Sequence, residues 1–344
     1  MSAPVRVSHA QAEEIARECY GVAGKAERLP AEHDDTFRLV TRDGTSRLLK
    51  VGVAAPGVAA PGVAALDAAE GSFQTAVLLH LEQTAPELPV QRVITALDGR
   101  AELVLDGTRP RVVRMTTYLE GRPLSDAPVT KALRRDIGAT LARLDQALRS
   151  LRHPGANRTH LWDLQRFPQL RPLPGTGQHP ALLDCFDRFD AIVRPRLAGL
   201  PKQVIHTDFH GDNLLTDAAA DAAAKVTGVL DFGDSLAGPV AMDVAVAACY
   251  QFGTDVQDPL APALDVVAGY HAVDPLHDGD VALIGEFMLL RLAARIIVSQ
   301  WNAARDPGNK AYLLRSTPQA VEHFGLLRAM PAGTIENRLR TALD

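Results

Sequence analysis

Between Val204 and Asp234 the chain sets three oxygen-bearing side chains at fixed spacing among apolar residues. Val204-Ile205 lead into His206-Thr207-Asp208-Phe209-His210-Gly211-Asp212-Asn213, so Asp208 precedes Asn213 by five positions. A strand-like run, Val229-Leu230, then ends in Asp231-Phe232-Gly233-Asp234. Leu214-Leu215 and residues 226–230 can pair as a hairpin whose exposed turn is 216–225, which would bring Asn213 beside Asp231. An amide oxygen and a carboxylate suit a hard cation such as Mg²⁺. A carboxylate close by can orient a hydroxyl group and take its proton. Each half alone is weak, because Asp-Phe-Gly after a strand is also an ordinary turn. Their order and short connection give the pair its weight.

That order, H-x-D-x-x-x-x-N followed by D-F-G, is the order of kinase catalytic residues. The chain resembles the aminoglycoside phosphotransferase family, whose loop usually reads H-G-D-x-H-x-x-N. Thr207 stands where glycine is usual, a small change that keeps Asp208 and Asn213. Within the family, the segment from Gly228 through Pro239 to Asp243-Val244-Ala245 most resembles the hydroxylysine kinase group, as does Leu161-Trp162-Asp163-Leu164. The resemblance covers nearly the whole chain. It implies an α+β, bilobal protein-kinase-like fold with a small antiparallel-sheet N-lobe over 1–119 that binds nucleotide. A larger, mainly helical C-lobe over 120–344 would carry the catalytic loop and the acceptor site.

The same resemblance assigns roles. Asp208 is the expected catalytic base, and Asn213 and Asp231 the expected Mg²⁺ ligands. Lys50, ending the apolar run 47–51, would contact the α- and β-phosphates of ATP or GTP, although a lone strand-end lysine is more often simply solvated. Its usual glutamate partner falls at Gln74, which can hold a lysine but not neutralise it; Glu70, one turn earlier, is the substitute. Met115, Thr117 and Leu119 fall at the hinge that grips the nucleobase, although any core strand would look alike. Asp243 matches the aspartate that braces the catalytic loop. Asp234 reads either as a contact for a substrate ammonium or as a cap for the helix starting near Val240. His206 reads as a loop brace, and a His206–His210 zinc pair is disfavoured because that spacing suits a helix face.

Composition narrows the class. With 344 residues and 47% hydrophobic content the chain can bury two cores. A net charge of −5 without a basic run argues against nucleic acid. Cys19, Cys185 and Cys249 are scattered in apolar surroundings and read as buried small hydrophobes. Residues 1–9 lack a basic start and an apolar run, and no stretch approaches the ~18 apolar residues of a membrane span. A cytoplasmic protein is expected; the oligomeric state is not legible.

Periodicity places the elements. Residues 8–21 read as a helix with a Ser8–Gln11 capping box and a Gly21 stop. Strands are expected at 25–29, 36–41, 46–51, 90–95, 101–105 and 111–119, with Asp43-Gly44 and Asp98-Gly99 as turns. The turn 29–37 has no glycine and lies where kinases cover the phosphates. Residues 53–65 repeat Ala-Ala-Pro-Gly-Val and read as an irregular loop. Helices are expected at 71–83, 130–151, 184–197, 259–270 and 281–304. In the last, Glu286, Arg291, Arg295 and Trp301 read either as acceptor contacts or as surface side chains. The expected function is phosphoryl transfer to a hydroxyl of an amino alcohol or hydroxy amino acid. An aminoglycoside-inactivating kinase uses the same residues, and a nucleotide-binding pseudokinase is the rival from another class, motivated by Gln74 and the glycine-free turn.

Overall fold

The computed structural model describes residues 6–31, 34–53, 64–105, 111–174, 176, 179–217, 224–255 and 257–344, with the side chains of 53 and 64–72 excepted. The repeat at 54–63, residues 32–33 of the glycine-free turn and 218–223 of the hairpin turn lie outside them. The chain forms two compact units, Met1–Glu120 with Arg152–Arg158, and Gly121–Leu151 with Thr159–Asp344.

The first unit opens with helix α1 (His9–Tyr20), started by the Ser8–Gln11 capping box and ended by Gly21 at φ 67°. Strands β1 (Gly24–Leu29), β2 (Asp35–Thr41) and β3 (Ser46–Val53) follow as an antiparallel meander. The β2–β3 turn takes Gly44 to φ 82°, and the Asp43 carboxylate accepts from the Thr45 N–H at 3.1 Å, as Asp-Gly turns require. Helix α2 (Ala64–Thr84) crosses to β4 (Val93–Ile94), β5 (Leu103–Leu105) and β6 (Arg111–Thr117). The sheet order is β1-β2-β3-β6-β4, with β5 also on β6. Phe37, Leu39, Leu49, Val51, Val113 and Met115 alternate inward and pack against Ala12, Ala16 and Tyr20 of α1. Residues 152–158 join this unit, where His153 stacks on Phe73 of α2 at 5.3 Å.

The second unit is mostly helical. A short strand β7 (Arg122–Pro123) leads to α3 (Lys131–Leu148), whose N-terminus is capped by the Thr130 hydroxyl accepting from Leu133 N–H. Next come a 3₁₀ segment (Leu164–Leu170), α4 (Pro180–Arg188) and α5 (Arg194–Leu197). The single helix expected at 184–197 is therefore interrupted by a π turn at Phe189–Val193. Pro195 has no N–H to donate and disturbs the regular ladder just there. Strands β8 (Gln203–Ile205), β9 (Leu214–Thr216), β10 (Val226–Val229) and β11 (Leu236–Gly238) flank the spaced residues read from the sequence. They pair as β10-β9-β7 and β11-β8.

The unit closes with α6 (Val240–Cys249), α7 (Ala261–His271), α8 (Asp278–Arg305), α9 (Lys310–Leu313), α10 (Thr317–Ala329) and α11 (Thr334–Leu343). Helices α3 and α7 cross at two glycines. A Cβ on Gly138 would lie 1.9 Å from the Val266 carbonyl oxygen, and one on Gly269 2.1 Å from that of Arg135. Only hydrogen fits at that crossing. No described helix is long and apolar enough to cross a membrane.

Candidate active site

The loop after β8 is built around buried acceptors. Strand pairing ends at Ile205, so the next N–H groups need partners elsewhere. Asp243 of α6, fully buried, supplies them: its two oxygens accept from the His206 and Thr207 N–H groups, each at 2.7 Å. Thr207 adopts φ 67°, and among the described residues only Asp231, at 54°, joins it as a non-glycine with positive φ. A β-branched residue is strained there. The Thr207 hydroxyl donates to the Asp234 carbonyl at 2.7 Å, which helps to hold the conformation. Glycine is usual at this position in the family that the loop resembles, and the left-handed backbone is the physical reason. Thr207 is thus a larger departure than its size suggests.

Asp243 itself touches a second buried carboxyl. Asp145 of α3 accepts from the Tyr270 hydroxyl at 2.9 Å through Oδ2, while its Oδ1 meets no donor among the described residues. That oxygen is satisfied if it carries a proton and donates it to Asp243. Burial first, and then the charge of Asp243, push the Asp145 pKa well above the ordinary carboxylate range. Burial also raises Asp243, against the pull of His206 and the two backbone N–H groups.

Asp208 follows the strained residue. Its backbone N–H donates to His206 Nδ1 at 3.2 Å, and His206 Nε2 faces the Leu230 carbonyl at 3.0 Å, so His206 ties the loop to the end of β10. Asn213 Nδ2 donates to both the Asp208 carbonyl (3.0 Å) and its Oδ2 (2.8 Å). This turns the Asn213 amide oxygen into the group left for a cation. The hairpin β9–β10 pairs Leu214 with Val229, and Leu230 N–H donates to the Asn213 carbonyl at 2.8 Å. Asn213 thereby lies across the hairpin from Leu230, the residue before Asp231. Asp231 is exposed and accepts from the Gly233 N–H at 3.0 Å, which orients its carboxylate. One amide oxygen and one carboxylate fit Mg²⁺, which keeps waters and substrate phosphates as its other ligands.

Two further groups grip Asp208. Arg291 of α8 donates from Nη2 to Oδ1 at 2.5 Å, and His210 Nε2 lies 3.1 Å from Oδ2. Burial works against the charge on Asp208, but His210, Arg291 and His206 outweigh it and hold the carboxyl well below the usual range. Arg291 also donates to the Tyr250 hydroxyl at 3.1 Å, with its guanidinium 4.6 Å from the Trp162 ring centroid. Arg295 sits over the other partner, Tyr250, at 4.5 Å. Asp234 pairs with His160 Nε2 at 3.2 Å, and the N-cap position of helix α6 is Pro239.

Sequence reasoning named Arg291 and Arg295 only as two of four charged or aromatic candidates on one helix. The others point elsewhere: Glu286 pairs with Arg188, and Trp301 lies under Arg305. Trp162 donates its backbone N–H to His160 Nδ1, and the next residue, Asp163, accepts from Gln165 N–H and Nε2, while Gln165 Nε2 also reaches the Ala237 carbonyl of β11.

In the first unit, Lys50 lies on the sheet face opposite the buried Leu49 and Val51. Its direct cross-strand neighbour on β6 is Arg114, a cation that sequence reasoning missed. Like charges placed opposite one another repel unless something negative is near. Gln74 accepts from Arg114 Nη1 at 2.5 Å; the side chain of Glu70 lies outside the described residues. Met115 is fully buried in the α1 core, whereas Thr117 and Leu119 are partly exposed.

An antiparallel sheet unit and a helical unit that carries this loop define a protein-kinase-like fold. The phosphotransferase enzyme family matches residues 25–278, and the chain belongs to it; it is a phosphotransferase with an alcohol group as acceptor. Among curated relatives, hydroxylysine kinase of Danio rerio is 24% identical over 96% of this chain and 94% of its own. Two solved structures share the fold. An amicoumacin kinase in complex with AMP-PNP and Ca²⁺ aligns with a TM-score of 0.65 at 15% identity, covering 94% of this chain and 92% of that one. A microcompartment-associated aminopropanol kinase aligns with a TM-score of 0.65 at 18% identity, over 98% and 99%.

Proposed function

We propose that this phosphotransferase moves the γ-phosphoryl group of ATP or GTP to a hydroxyl of an amino alcohol or hydroxy amino acid, with hydroxylysine the leading acceptor. The observation that carries the reading is the single hydrogen-bonded unit of Asp208, Asn213 and the end of β10, which supports a carboxylate base next to oxygens suited to a cation. Asp208 orients the acceptor hydroxyl and takes its proton. Asn213 and Asp231 are the residues that would hold Mg²⁺, which when bound neutralises phosphate charge. Lys50, with Arg114 across the strand pair, supplies positive charge for the α- and β-phosphates. Thr117 and Leu119 belong to the segment that receives the nucleobase. The rate enhancement comes from positioning and charge stabilisation rather than covalent chemistry. The likeness to hydroxylysine kinases over nearly the whole chain supports the acceptor class.

The test is phosphoryl transfer by the purified protein with Mg²⁺ and ATP or GTP. The acceptors are amino alcohols, hydroxy amino acids and aminoglycosides, with Asp208→Asn alongside. Turnover of hydroxylysine that drops by about 10³-fold or more in the variant, with its thermal unfolding unchanged, is the expected result. Turnover of aminoglycosides alone would overturn the acceptor class. Nucleotide binding without transfer to any acceptor would overturn the proposal as a whole.

A further inference from the structure

The grip on Asp208 poses a problem for a base. A carboxylate held by a guanidinium and an imidazole is a poor acceptor for a hydroxyl proton, because both partners stabilise its charge. Something has to loosen that grip when the right acceptor is present, and Arg291 has the means built in.

Arg291 is 2% exposed, yet its guanidinium is only partly used. Nη2 serves Asp208 and Tyr250, while Nε and Nη1 are buried with no hydrogen-bond partner among the described residues. A buried donor left without a partner is costly. A structure that keeps such donors beside the reacting carboxylate holds them in reserve for an anion. The surroundings specify its chemistry. Trp162 covers the guanidinium face, Arg295 stands one turn along α8, and both arginines meet at the Tyr250 ring. Asp234, held by His160, is close enough to act on the Arg291 charge, along with Asp208. The cluster therefore holds two guanidinium groups at the Tyr250 ring, one of them on the Asp208 carboxylate, with the charge of Asp234 also felt by Arg291. That pattern suits a zwitterion better than a polycation, which would meet Arg291 and Arg295 as like charges.

Resting on the reading of the acceptor as a hydroxyl-bearing amine, we propose that Arg291 is the residue that selects hydroxy amino acids over amino alcohols. Its guanidinium passes from Asp208 to the acceptor's carboxylate, and Asp234 takes the acceptor's α-ammonium. The exchange frees Oδ1 of Asp208 for the acceptor hydroxyl only when a carboxylate has arrived, while His210 and Asn213 keep Oδ2. An acceptor without that carboxylate finds Asp208 still held.

The experiment compares kcat/KM for 5-hydroxylysine, its carboxamide and its decarboxylated counterpart, 1,5-diamino-2-pentanol, in the wild type and in Arg291→Gln. The wild type should prefer hydroxylysine over the other two by about 100-fold, as a site with buried donors rejects analogues that leave them unpaired. In Arg291→Gln that ratio should collapse toward one, with hydroxylysine losing most. Equal losses on all acceptors would make Arg291 a positioning residue for Asp208 and overturn the proposal. The wild type alone decides the matter should the variant fail to fold: a ratio near one between hydroxylysine and its carboxamide overturns it. Absence of transfer to all three compounds, with transfer to some other acceptor, would instead remove the acceptor reading on which the proposal stands.

Discussion

Strand β3 and the loop after β8 each hold one charged side chain in place, Lys50 and Asp208, by opposite means. In β3 the backbone satisfies itself: β2 pairs on one side and β6 on the other, and Leu49 and Val51 anchor the strand by burial. The loop has no such ladder. His206 and Thr207 depend on one buried carboxylate, Thr207 is held at φ 67°, and Asp208 is fixed by side chains from α8 and its own turn. Regular backbone spreads its support over many equivalent bonds, so a side-chain loss there costs stability. Irregular backbone concentrates its support, so a loss there costs geometry as well.

The largest expected effect breaks the loop. Asp243→Ala strands two buried N–H groups at about 1–3 kcal/mol each, so it should lower both the urea midpoint and kcat, the latter by more than about 100-fold. Leu49→Ala in β3 should cost about 2–5 kcal/mol of stability through a cavity, with kcat under native conditions within a few-fold of wild type. Should both variants show the same balance of lost stability and lost kcat, the contrast between the two regions is wrong.

A smaller effect concerns the proton on Asp145. Because its folded pKa is raised, its contribution to stability is complete below about pH 4, its ordinary unfolded range, and is lost as pH rises through the raised value. Asp145→Asn keeps a donor for Asp243 and an acceptor for Tyr270 without a titrating proton. The urea midpoint of the variant should therefore gain on that of the wild type as pH rises. A difference that stays flat with pH would argue that Asp145 is already ionised.

The smallest effect tests the strain. Thr207→Val loses the hydroxyl bond to Asp234 and keeps the left-handed backbone, a loss of about 1 kcal/mol. Thr207→Gly loses the same bond but relieves about 1–2 kcal/mol of backbone strain, partly offset by the freedom that glycine has when unfolded. Glycine should be the more stable of the two by thermal unfolding. The reverse order would mean that the strain at φ 67° is negligible.

Much of this was legible in the chain itself. The Ser8–Gln11 box, the Asp-Gly turns, the β9–β10 hairpin and the long apolar helices follow from periodicity and turn chemistry, which act over a few residues. The D-x-x-x-x-N and D-F-G spacings put Asn213 and Asp231 at the two ends of one hairpin, with Asp208 in the loop before it, for the same reason. Tertiary structure alone decided the rest. Arg291 lies 83 positions from Asp208, and on a helix pattern it reads no differently from Glu286, which faces Arg188. Nothing local singles out Asp145 on its helix, and only the close crossing of α3 and α7 at Gly138 and Gly269 lets Tyr270 reach it. Arg114 gains its meaning from lying across from Lys50. Local pattern shows which backbone will form. Whether a charged side chain ends in solvent or is buried against a partner depends on chain segments that meet only after folding, and the low dielectric there makes that meeting decisive.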